Sequence, residues 1–196
     1  SRYVTLSNLT ADGNGNLGLS DTEQAGILFE KSNDIETNSG DVTCNYCTVS
    51  NSAGSGLMIR DSVDLWLNHL VVEDNSPSYD PISIDNSGLT LGQQGGQVNM
   101  YDVTVRTERL GTDSGPALNI NRAAAIIDTV VMHGNHTGLI WNGDNNGNFP
   151  SSLSNAQLSG STCLLLVEHT YISGSDNLIT TQCSGTITLQ DSQVNW

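Results

Sequence analysis

Seven eight-residue blocks in this chain share one spacing of apolar side chains, and that spacing constrains the fold more than any other feature. The blocks are Val4 to Ala11, Val42 to Val49, Leu65 to Val72, Val98 to Val105, Ala125 to Met132, Leu165 to Ile172 and Ile187 to Val194. Their first, third, sixth and eighth positions are apolar, with Thr170 and Ser192 as the exceptions. The spacing has period two on either side of a phase slip, as two short strands joined by a bend require if both face one interior. A helix, with apolar residues at three- and four-residue intervals, does not produce it. At the bend, position five holds Asn8, Tyr46, His69, Asp102, Thr129, His169 and Asp191. Most of these tolerate the left-handed region or bond back to the main chain.

A further alternating segment precedes each block from the second onward: Ile27 and Phe29, Leu57 and Ile59, Ile82 and Ile84, Leu118 and Ile120, Leu139 and Trp141, Leu178 and Thr180. Gly26, Gly56, Gly138, Pro81 and the Gly115-Pro116 pair punctuate the approach to it. The shortest interval between blocks is about 22 residues, and the longer intervals carry insertions, a periodicity that belongs to solenoids.

Three strands and three turns in so short a coil resemble the right-handed parallel β-helix of the pectate-lyase-like superfamily, over essentially the whole chain. The expectation is an all-β, right-handed parallel β-helix of about seven coils of three short strands, with residues 1–196 as a single domain. An antiparallel sandwich also uses short alternating strands but does not account for the aligned columns. The first block begins close to Ser1 and the last ends close to Trp196, with no capping helix or polar coil beside either. A bare end coil exposes a strand edge and an open core, so neighbouring coils or domains of a larger parent protein are expected as partners.

Charge narrows the function classes. Six Lys and Arg against 21 Asp and Glu give a net charge of −15, which repels nucleic acid and anionic membranes. No leader and no apolar run long enough to span a bilayer is present, so membrane insertion is not expected. Four cysteines in a chain poor in Lys point to an oxidising compartment, hence an extracellular or cell-surface location. Cys44 and Cys47 flank one bend with both side chains inward, and Cys163 and Cys183 fall on adjacent coils, so each pair can form a disulfide. A Cys-x-x-Cys redox centre would instead need an exposed helix start. The sequons Asn8-Leu9-Thr10 and Asn135-His136-Thr137 make Asn8 and Asn135 glycosylation candidates.

In the enzymes this fold resembles, substrate lies across the outward face of the strand preceding each block. That face carries Glu30, Arg60 and Asp85 on successive coils. Coils stack about 4.8 Å apart, which sets the carboxylates roughly 10 Å from each other with Arg60 between, as in an ion-pair ladder. The same carboxylates, with Arg122 near in sequence, also form a catalytic candidate for inverting glycoside hydrolysis. The Asn-Thr-Asp, Asp-Asp, Gly-His-Gly and Arg-Ile-Lys motifs of the polygalacturonase family are absent, as is a counterpart of the pectate lyase catalytic arginine motif. Trp66, Tyr79 and Tyr101 are candidates for stacking on sugar rings, with Asn121 beside them as a hydrogen-bonding amide.

Two Asn- and Gly-rich turns resemble calcium loops, with Asp12 and Asn14 in one and Asp144 and Asn146 in the other as oxygen ligands. No other cofactor is expected. His69 and His169, three coils apart in one column, and His133 with His136 in a turn read as surface histidines rather than zinc ligands. The expected function is a non-catalytic extracellular or cell-surface segment with a structural, adhesive or glycan-binding role, its partners a polysaccharide or another surface protein. The alternative is a polysaccharide-active enzyme, a glycoside hydrolase or polysaccharide lyase, working on the same outward face.

Overall fold

The structure is a computed structural model that describes residues 3–13, 25–30, 41–60, 65–73, 79–85, 97–107, 116–121, 123–134, 137–142, 151–160, 163–168, 171–173, 178–179, 187–190 and 193–195. Its strands, in chain order, are β1 (Tyr3–Ser7), β2 (Thr10–Asp12), β3 (Ile27–Glu30), β4 (Asp41–Ser50), β5 (Leu57–Arg60) and β6 (Leu65–Glu73). There follow β7 (Ile82–Asp85), β8 (Gln97–Thr107), β9 (Leu118–Asn121), β10 (Ala124–Gly134), β11 (Thr137–Asn142) and β12 (Ser151–Gly160). The last five are β13 (Cys163–Glu168), β14 (Tyr171–Ser173), β15 (Leu178–Ile179), β16 (Ile187–Gln190) and β17 (Gln193–Asn195).

The chain alternates between two parallel sheets and advances by one rung on each pass. The first sheet runs β1-β4-β6-β8-β10-β12-β14-β17, with β2 pairing β4 and β15 pairing β12; the second runs β3-β5-β7-β9-β11-β13-β16. All pairings are parallel and each joins a strand to its counterpart on an adjacent coil, so the fold is a parallel β-helix. The aligned columns of the sequence are columns of the structure: Val42 pairs Leu65, Leu65 pairs Val98, and Val98 pairs Ala125. Between the sheets lies one apolar core that includes Cys44, Leu67, Met100 and Ile127 from the first sheet and Ile59, Ile84 and Ile120 from the second.

The phase slip is a left-handed residue, inside a continuous strand in β4, β6, β8, β10 and β12 and between β1 and β2 on the first coil. Asn8, Tyr46, His69, Asp102 and Thr129 have φ between 53° and 60°, and Asn155 has φ 52°. One left-handed residue turns the chain without breaking the ladder: the Asn8 amide donates to the Asn45 carbonyl at 3.0 Å, and the Thr48 amide donates to the Leu9 carbonyl at 2.8 Å. Positions three and six therefore both face inward, although they are three residues apart and an uninterrupted strand would put them on opposite faces.

The last two sequence blocks do not align as the pattern suggests. Leu165 and Val167 pair with Leu139 and Trp141 in the second sheet, and Ile187 and Leu189 pair with Leu165 and Val167. Each of these blocks therefore begins in a second-sheet strand and ends in a first-sheet strand, β13 then β14 and β16 then β17. Thr170 and Ser192, the two exceptions in the pattern, lie outside the described residues. The sixth rung of the first sheet is instead β12, whose Ile127–Leu153 and Met132–Leu158 partners continue the register of β10. Its buried Leu153 and Ala156 stand among Ser152, Ser154, Asn155 and Gln157, a run with fewer large apolar residues than the other rungs. Leu178, expected to open a second-sheet strand, pairs with Gln157 in the first sheet. The first sheet consequently has eight rungs and the second has seven among the described residues.

Candidate functional site

The outward surface of the second sheet is the face that carries Glu30, Arg60 and Asp85, and register sets them side by side: Glu30 opposite Arg60, Arg60 opposite Asp85, Asp85 opposite Asn121. Backbone pairing extends the column through Asn142, Glu168 and Gln190, so every rung holds a residue able to hydrogen-bond. Leu28, Met58, Ser83 and Asn119 form the parallel column two residues earlier. Met58 is only 6% exposed there, against 37% for Leu28, so the face is partly roofed rather than open along its length.

Side chains in the polar column hold one another. Arg60 Nη1 lies 3.7 Å from Glu30 Oε1, both side chains being about two-fifths exposed. Asn121 donates to Asp85 Oδ1 at 2.9 Å, and one column over Asn119 donates to Asp80 Oδ2 at 2.8 Å. An exposed ion pair of this kind contributes about 0–1 kcal/mol to stability, so the row does little for the fold. It fixes the directions of donors and acceptors along the surface. Arg122 lies outside the described residues.

The aromatic candidates do not join this face. Trp66 and Tyr101 belong to the first sheet, with ring centroids 6.2 Å apart and planes 14° from parallel. Tyr79 precedes β7, and Asn121 alone of the sugar-contact candidates sits in the polar column. Along the bend column, a feature that residue types alone did not reveal joins three coils. Tyr46 stacks on His69 with centroids 4.4 Å apart and planes 8° from parallel, and His69 Nδ1 lies 2.6 Å from Asp102 Oδ2. The bend position brings Tyr46, His69 and Asp102 onto one line, so the sequence columns held the signal.

Cys44 and Cys47 form a disulfide with Cα atoms 6.1 Å apart, and both are fully buried on either side of the Tyr46 bend. Their register partners on the next coil are Leu67 and Leu70, so the bridge stands where the next coil has a leucine pair. Cys163 opens β13, and Cys183 lies outside the described residues. Asp12 Oδ1 accepts from Ser50 Oγ at 2.8 Å and from Asn51 Nδ2 at 2.7 Å. The Asn51 and Ser50 hydrogen bonds hold its carboxyl below the usual value of 3.8. Asn14, Asp144, Asn146, Asn135, His136 and His169 lie outside the described residues. Among the described residues no group of three or more His, Cys, Asp and Glu gathers as a metal site, and no helix is long and apolar enough to cross a membrane.

No family model matches the chain, and neither a curated protein nor a solved structure does.

Proposed function

We propose that this chain is a non-catalytic segment of an extracellular or cell-surface β-helix protein, akin to the pectate-lyase-like solenoids in form, that holds a linear glycan along its second sheet. The observation that carries the reading is the unbroken polar column from Glu30 to Gln190. Its rungs recur about every 4.8 Å, close to the rise of one sugar in an extended polysaccharide, so successive hydroxyl groups meet successive donors and acceptors. Glu30 and Asp85 spend their carboxylates on Arg60 and Asn121, which favours a recognition surface over an acid–base pair free to move protons. The buried Cys44–Cys47 bridge accords with an oxidising compartment.

The test is a panel of neutral and acidic polysaccharides assayed for both binding and release of reducing ends. Binding without turnover, weakened at least about tenfold in Arg60→Ala with little change in melting temperature, supports the reading; tenfold corresponds to about 1.4 kcal/mol, within the range of one charge-assisted hydrogen bond. Release of oligosaccharides that disappears in Asp85→Ala would establish the enzyme instead.

A further inference from the structure

The bend column has an occupant on the first coil whose chemistry the sheet surfaces do not use. Asn8, in the sequon Asn8-Leu9-Thr10, precedes Tyr46 in that column, and both are exposed. The Asn8 amide bonds to the Asn45 carbonyl, which fixes the first coil directly over the second at this point. The Tyr46 and His69 rings are nearly parallel, and their 4.4 Å separation is close to the coil spacing. The stack therefore runs along the solenoid axis. One face of Tyr46 covers His69, and the other looks toward the coil of Asn8. Tyr46 remains 59% exposed, and the asparagine that precedes it in the column has the shorter side chain.

We infer that Asn8 is an N-glycosylation site whose first sugar ring lies on the open face of Tyr46. A sugar joined to Asn8 Nδ2 begins where the side chain ends, so it continues outward over the uncovered part of the phenol ring. The C–H groups of one sugar face then meet the aromatic face, as aromatic rings accept the positive edges of neighbouring groups. The covalent step consumes a lipid-pyrophosphate-linked oligosaccharide. The Asn8 amide nitrogen forms a bond to the anomeric carbon as the bond from that carbon to the pyrophosphate oxygen breaks. One amide proton passes to a base of the transferring enzyme, and the lipid pyrophosphate leaves. The inference rests on the extracellular part of the proposed function, because the transfer occurs on chains entering a secretory compartment.

The experiment secretes the full chain from a eukaryotic cell line and maps its peptides by mass. Trypsin should yield the Tyr3-to-Lys31 peptide with added glycan mass, enzymatic release should convert Asn8 to Asp, and Asn8→Gln should abolish the addition. The packing half is read by comparing glycosylated and enzymatically deglycosylated protein with Tyr46 intact or replaced by Asn, which suits the left-handed bend. Deglycosylation should lower the melting temperature by about 2 °C more in the parent than in Tyr46→Asn, and protons of the first sugar should shift upfield only when Tyr46 is present. An unmodified Asn8 in the secreted chain overturns the site. Equal melting shifts together with unshifted sugar protons overturn the packing. Either failure leaves polysaccharide binding at the second sheet unaffected, so the two readings fail separately.

Discussion

At the scale of single residues the fold turns on positions that few side chains suit. Thr129 has φ 60°, a conformation unfavourable to a β-branched residue, whereas Asn8 and Asn155 in the same column carry a side chain that tolerates it. Thr129→Asn is therefore expected to stabilise the protein by about 1 kcal/mol, and a lower urea midpoint would contradict that. Gly26 is constrained by space: a Cβ there would stand 2.3 Å from Val49 Cγ1 and 2.8 Å from the Gly56 carbonyl oxygen. Gly26→Ala should cost about 1–3 kcal/mol, measured in the same titration. Asp12 gives a pH signature. Its carboxyl titrates below 3.8 when folded, so the stability it contributes is present above that pH and fades as pH falls through the folded value. Asp12→Asn should flatten the acid limb of the stability curve, and an unchanged limb would remove this role.

At the scale of elements, five of the first-sheet rungs and five of the second-sheet strands are legible from apolar spacing, because inward residues such as Leu67, Met100, Ile84 and Ile120 are large and unambiguous. Legibility ends where that signal weakens. The β12 rung places Ala156, a small side chain, at an inward position, while Leu165 and Val167 imitate the start of a first-sheet block although they belong to the second sheet. Period two is common to both sheets, so spacing alone cannot assign a strand to one of them. Leu153 tests the assignment. It is 3% exposed within β12, and Leu153→Ala should cost about 2–5 kcal/mol as a core truncation. A cost below about 0.5 kcal/mol would place it on the surface. The polar column is visible in Glu30, Arg60 and Asp85, but its partners in β13 and β16 depend on the same reassignment. The Tyr46–His69–Asp102 line went unread because each residue has an ordinary explanation as a turn residue, and only stacking in three dimensions joins them.

The whole molecule is a column of parallel rungs bearing a net charge of −15. Few cations offset that charge, and the Glu30–Arg60 and Glu73–Arg106 pairs place two of the six basic residues beside acidic ones on adjacent coils. Self-repulsion among the remaining carboxylates opposes the compact state, and salt shortens its range from about 10 Å at 0.1 M to about 3 Å at 1 M. The melting temperature should rise across that range; a fall would mean that attractive pairs outweigh repulsion. Stacking is the premise on which the polar column, the shared core and the Asn8–Tyr46 neighbourhood all depend. Methyl-resolved NMR on the folded chain tests it most directly. Cross-peaks from Ile127 to Met100 on one side and to Leu153 on the other are the predicted result, since these residues share one inward column. Cross-peaks from Ile127 to Val167 in place of Leu153 would contradict it.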